Sequence, residues 1–69
     1  MPAVDEYFGK DAGIVWDSLN RNGPMTISSL KRATKLNEKD LYGALGWLGR
    51  EGKIKIIGDK PLFYKFALC

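Results

Sequence analysis

The sequence predicts an α+β domain in which three helices and a small antiparallel sheet follow the order α-β-α-α-β-β. Three observations predict it. Apolar residues recur at helical spacing through Phe8, Ala12, Val15, Trp16 and Leu19. A well-marked helix start at Asn37 follows a second short helix after only a brief turn. Two β-rich runs flank the turn residues Gly58-Asp59-Lys60-Pro61.

The first helix is predicted over residues 5–21. Its stripe falls at i, i+4, i+7, i+8 and i+11, one face of a helix with 3.6 residues per turn. Asn22-Gly23-Pro24 ends it: glycine tolerates a left-handed C-terminal position, and proline cannot continue a helix. Met25-Thr26-Ile27 is too short for a helix and reads as a short strand. Ser28 is the expected N-cap of the second helix, predicted over 29–35 with Leu30 and Ala33 inward and Lys31, Arg32 and Lys35 outward.

In Leu36-Asn37-Glu38-Lys39-Asp40-Leu41, Asn37 caps the third helix and Asp40 places a carboxylate near exposed backbone N–H groups. Leu36 and Leu41 can close across the cap as a hydrophobic staple. The helix runs to about Glu51 and stops at Gly52, with Leu41, Ala44, Leu45 and Leu48 inward. Lys53-Ile54-Lys55-Ile56-Ile57 alternates as a strand should. Leu62-Phe63-Tyr64-Lys65-Phe66-Ala67-Leu68 is the second arm of a hairpin. This order is that of a winged helix-turn-helix, and residues 1–69 are expected to form one domain. The expected core is Phe8, Val15, Trp16, Leu19, Leu30, Leu41, Leu45, Leu48, Ile54, Ile56 and Phe66.

Composition narrows the chemistry. The 69 residues are 45% hydrophobic and 28% charged, ordinary for a globular chain rather than a disordered one. Cys69 is the lone cysteine, so no internal disulfide is possible and a reducing compartment fits. Residues 1–6 carry no basic or apolar leader, and no run approaches the length of a membrane span. A cytoplasmic protein is expected. There is no histidine, which removes the usual general base and the commonest metal ligand, and a lone thiol has no base to activate it. Glycines 43, 46, 49 and 52 do not form a phosphate-binding loop after a strand. Glu38 and Asp40 sit where helix capping explains them. The expectation is a non-enzyme with no cofactor and no metal.

The net charge is +3, unevenly spread. Residues 1–27 hold four acids and two bases, whereas 28–60 hold eight bases and four acids. Such a basic stretch attracts a polyanion, although a solvated surface has the same composition. Lys39, Gly43, Gly46 and Arg50 lie opposite the leucine stripe of the third helix, with Tyr42 and Trp47 on its flanks. In a helix-turn-helix the second helix of the pair enters the major groove. Lys39 and Arg50 suit phosphate or guanine, and Tyr42 suits a phosphate or a thymine methyl. Lys31 and Lys35, with Lys55 and Lys60 on the wing, suit phosphates.

The same face lacks Asn, Gln, Ser and Thr, the other usual readers of base edges. A surface of glycine and aromatics at Gly43, Gly46 and Trp47 equally suits a protein partner. Trp47 is otherwise expected to be half-buried against a neighbouring strand. Tyr7 and Ile14 share another face of the first helix and mark a possible self-association surface. The expected assembly is a monomer or weak homodimer.

Ala12-Gly13-Ile14-Val15-Trp16 with Leu19, and Ala44-Leu45-Gly46-Trp47-Leu48-Gly49-Arg50-Glu51 followed by Lys53-Ile54, together resemble a known family. It comprises small stand-alone winged helix-turn-helix proteins of bacteria and archaea, catalogued as a domain of unknown function. The resemblance spans nearly the whole chain, and it departs at Gly49, where the family more often has alanine. It implies the fold and brings no ligand with it. The wider superfamily suggests DNA binding. The functional expectation is a double-stranded DNA-binding module acting as a small transcriptional regulator, with a protein-interaction module as the alternative.

Overall fold

The computed structural model describes residues 4–69, without the side chains of Val4, Asp5 and Leu62. Helix α1 spans Val4–Asn22, α2 spans Ile27–Thr34 and α3 spans Glu38–Arg50. Strands β1, Ile54–Ile57, and β2, Lys65–Leu68, pair antiparallel with Ile54 opposite Leu68 and Ile57 opposite Lys65. The fold is a winged helix-turn-helix: three helices against a two-stranded sheet.

The predicted first strand contracts to one bridge. Met25 and Phe66 exchange both backbone bonds, at 2.9 and 2.7 Å, and pairing goes no further. Thr26 already belongs to the next helix as its N-cap. Its side chain accepts from the Ser29 N–H at 3.2 Å and its carbonyl from the Leu30 N–H at 2.9 Å. Thr26, not Ser28, therefore starts α2, because the bridge ends the extended segment two residues earlier than the serine. The shift turns α2 so that Ile27 and Leu30 meet the core while Ala33 is left exposed.

The α2–α3 turn is only Lys35-Leu36-Asn37. Lys35 closes α2 in the left-handed conformation, φ 61°, with its N–H on the Lys31 carbonyl at 3.0 Å. Asn37 caps α3 through Oδ1, which accepts from the Asp40 N–H at 2.8 Å. Gly52, at φ 72°, ends α3 as its position after the last turn demands.

Ala12, Val15, Leu19, Leu30, Leu41, Ala44, Leu45 and Leu48 form the buried core, with Ile54, Phe66 and Leu68 packed partly against it. Three expected core members, Phe8, Trp16 and Ile56, are outside it. Trp16 is 38% exposed, because the inward arc of α1 lies towards Ser18 rather than towards the tryptophan. Ser18 is buried there, its hydroxyl 3.5 Å from the Met25 sulfur. Ile56 is 55% exposed, because β1 is an edge strand and glycines stand across from it on α3. Phe8 is half-buried. The second hairpin arm is shorter than its sequence suggests: Pro61–Phe63 form a 3-10 turn, and only the last four residues of that run pair.

Candidate nucleic-acid interface

The residues singled out on α3 divide between two surfaces. Lys39, Tyr42, Gly46 and Arg50 are exposed. Lys39 and Arg50 are eleven residues apart, three turns, so they share one line at a spacing of roughly 16 Å. Gly43 and Trp47 lie on the other flank. Trp47 stacks on Phe8 of α1, with ring centroids 6.0 Å apart and planes 13° from parallel. A Cβ at Gly43 would lie 3.1 Å from the Phe8 ring. Thus Trp47 is half-buried, as expected, but its aromatic partner is α1 rather than a strand. Gly43 gives room to Phe8 rather than facing outward.

The remaining predicted cations lie on α2 and its C-terminal cap, on β1 and at the start of the 3-10 turn. Lys31 pairs with Glu38 at 3.3 Å, so its charge is partly spent inside the helix-turn-helix. Among the described residues, Lys35, Lys39, Arg50, Lys55 and Lys60 make no ion pair within 4 Å and are exposed. Lys35 holds its place at a backbone cost, since the left-handed region disfavours an L-residue by about 1–2 kcal/mol. Lys60 opens the 3-10 turn of the wing, its carbonyl accepting from the Phe63 N–H at 2.9 Å.

Two features of this side were not read from the sequence. Phe63 is 68% exposed at the wing, since the 3-10 turn takes it out of the strand alternation. A groove of about 530 Å³ opens between α3 and β1, walled chiefly by Tyr42, Leu45, Gly46, Gly49, Ile54 and Ile56, with Lys55 also on it. The i, i+3 glycines facing alternating isoleucines were the available signal for it.

The sequence matches the family described as "Winged helix-turn-helix domain (DUF2582)" over residues 4–64. The chain belongs to this DUF2582 family. A solution NMR structure of protein BT2368 from Bacteroides thetaiotaomicron is similar, with a TM-score of 0.81 and 30% identity. The likeness covers 96% of this chain and 79% of that one. No curated protein matches. Winged helix-turn-helix domains, DUF2582 among them by architecture, belong to a class that typically binds nucleic acid and is typically non-enzymatic. Among the described residues of this DUF2582 member, no cluster of His, Cys, Asp or Glu is placed to hold a metal ion. No described helix is long and apolar enough to cross a membrane.

Proposed function

We propose that this domain binds double-stranded DNA as a small transcriptional regulator, a monomer or weak homodimer that inserts α3 into the major groove. The observation that carries the reading is the outward line of α3. Lys39 and Arg50 stand on it with no ion pair among the described residues, and Tyr42 flanks it. Their spacing of roughly 16 Å along the helix lets the two cations reach different phosphates or base edges along the groove. Lys35, Lys55 and Lys60 supply phosphate contacts on either side, and Lys31 a weaker one because Glu38 already holds it. The left-handed Lys35 supports the same reading: a lysine sits where glycine fits with less strain, as expected where the ammonium is needed.

The test is a titration of labelled mixed-sequence duplex at two salt concentrations. Binding that falls steeply with salt is expected, each neutralised phosphate adding about 0.9 to the slope of log K against log salt. Arg50→Ala lowers that slope by about one if Arg50 meets phosphate. If it reads guanine, it costs about 1–3 kcal/mol at preferred sites alone. Absence of duplex binding at ~50 mM salt with tens of micromolar protein overturns the reading.

A further inference from the structure

The open edge of β1 and the groove beside it overlap the proposed DNA face at Tyr42, Gly46 and Lys55, but the rest of the groove wall is apolar and offers a phosphate no partner. The hydrogen-bond phase of the hairpin sets what the edge offers. Phe66 spends both its N–H and its carbonyl on Met25, away from β1. The Cys69 N–H reaches the Lys53 carbonyl at 3.0 Å on the other side. Lys53, Lys55 and Ile57 are therefore the residues of this arm bonded to the β2 side. Ile54 and Ile56 turn their N–H and carbonyl groups outward, where no strand among the described residues pairs with them.

The same two isoleucines wall the groove. A Cβ at Gly46 or Gly49 would meet nothing within 4 Å, so no packing inside the domain calls for glycine at either position. Tyr42 and Ile56 are each more than half exposed on its rim. Backbone groups seeking a strand, and a cavity seeking apolar side chains, thus lie side by side.

We infer that this edge receives an extended segment of a partner protein, one that alternates apolar and acidic residues. Directly opposed residues of neighbouring strands share a face. Partner residues opposite Ile54 and Ile56 therefore point into the groove and must be apolar. The residue between them stands beside Lys55, which is exposed and has no ion pair among the described residues, and must be acidic. The next stands beside Lys53, whose ammonium is 3.8 Å from Glu51. Main-chain bonds supply affinity and alternate side chains supply specificity, the general logic of strand addition. A second copy is disfavoured as the occupant. Antiparallel self-pairing that uses both outward residues sets Lys55 directly opposite its own copy, a like-charge pair. This inference does not rest on DNA binding, and because Tyr42, Gly46 and Lys55 serve both readings, the segment and a duplex exclude each other.

The probe is the capped hexapeptide Ser-Ile-Glu-Ile-Glu-Ser, titrated to millimolar concentration into the ¹⁵N-labelled protein. Saturable shifts are expected at the amides of Gly46, Gly49, Ile54 and Ile56. The reordered peptide Ser-Ile-Ile-Glu-Glu-Ser, with the same composition, is expected to bind at least tenfold more weakly. A Cβ at Gly46 meets nothing within 4 Å, so Gly46→Leu is expected to keep the fold with a thermal midpoint at or above that of wild type, and to weaken binding at least tenfold by filling the groove. Lys55→Glu, on an exposed side chain, is expected to lose the acidic peptide and gain Ser-Ile-Lys-Ile-Lys-Ser. Equal binding of the reordered peptide, shifts centred elsewhere, or no shifts overturn the inference. So does protection of the Ile54 and Ile56 amides that grows with protein concentration alone, since a second copy then takes the edge.

Discussion

Replacing Lys35 by glycine is expected to stabilise the domain and, if the proposed reading holds, to weaken DNA binding at once. Lys35 ends α2 at φ 61°, a conformation that costs an L-residue about 1–2 kcal/mol. Glycine removes that cost but adds about 0.5–1 kcal/mol of chain freedom to the unfolded state. The expected net gain is about 0.5–1 kcal/mol. For a domain of this size 1 kcal/mol moves Tm by about 4–8 °C, so the expected rise is about 2–8 °C. The Lys35 N–H still reaches the Lys31 carbonyl, because the backbone is unchanged. Lys35→Ala is the companion variant. It keeps the left-handed cost and loses the charge, so its stability stays within about 0.5 kcal/mol of wild type, as at other surface positions. Both variants lower the salt slope of DNA binding by about 0.9 if Lys35 meets a phosphate. Thermal unfolding and salt-dependent anisotropy read the two effects separately. A Lys35→Gly midpoint at or below that of wild type refutes the strain argument. An unchanged salt slope in both variants refutes the contact.

Other substitutions test the packing. Leu30 is fully buried and is the core anchor of α2, so Leu30→Ala should cost roughly 2–5 kcal/mol in denaturant unfolding; a loss below 1 kcal/mol contradicts the placement of α2. Thr26→Ala removes the α2 cap and should cost about 1 kcal/mol, whereas Ser28→Ala should change little. The opposite order restores Ser28 as the cap. Gly49→Ala meets open space and should gain about 1 kcal/mol of helix propensity. Gly43→Ala crowds Phe8 and must gain less, so a higher midpoint for Gly43→Ala contradicts the packing of α1 on α3.

Most of the helical frame was legible because its signals are local. Asn37 caps α3, and the phase of Leu41, Ala44, Leu45 and Leu48 places all four inward, as read. The misreadings share one cause, that period alone does not say what lies opposite. Trp16 and Val15 are adjacent on α1, and the chain that returns after α1, with Met25 beside Ser18, puts Ser18 in the buried arc while Trp16 stays at its margin. Ile56 alternates correctly with Lys55, yet the helix across from it offers glycine, so burial does not follow. Thr26 and Ser28 are both competent caps, and the long-range bridge between Met25 and Phe66 selects between them. Of the candidate site, the outward line of Lys39 and Arg50 follows from α3's phase. Gly43 and Trp47 were displaced from that face by Phe8, thirty-five residues earlier in the chain than Gly43, which no local pattern reveals.

The most direct test of DNA docking through α3 is a titration of the ¹⁵N-labelled domain with a mixed-sequence duplex at low salt. The account expects the largest amide shifts at Lys39, Tyr42, Gly46 and Arg50, smaller ones at Lys35, Lys55 and Lys60, and none at Tyr7 or Ile14 on the exposed face of α1. Shifts centred on Tyr7, Ile14 and Trp16, or no shifts at any residue, would contradict it.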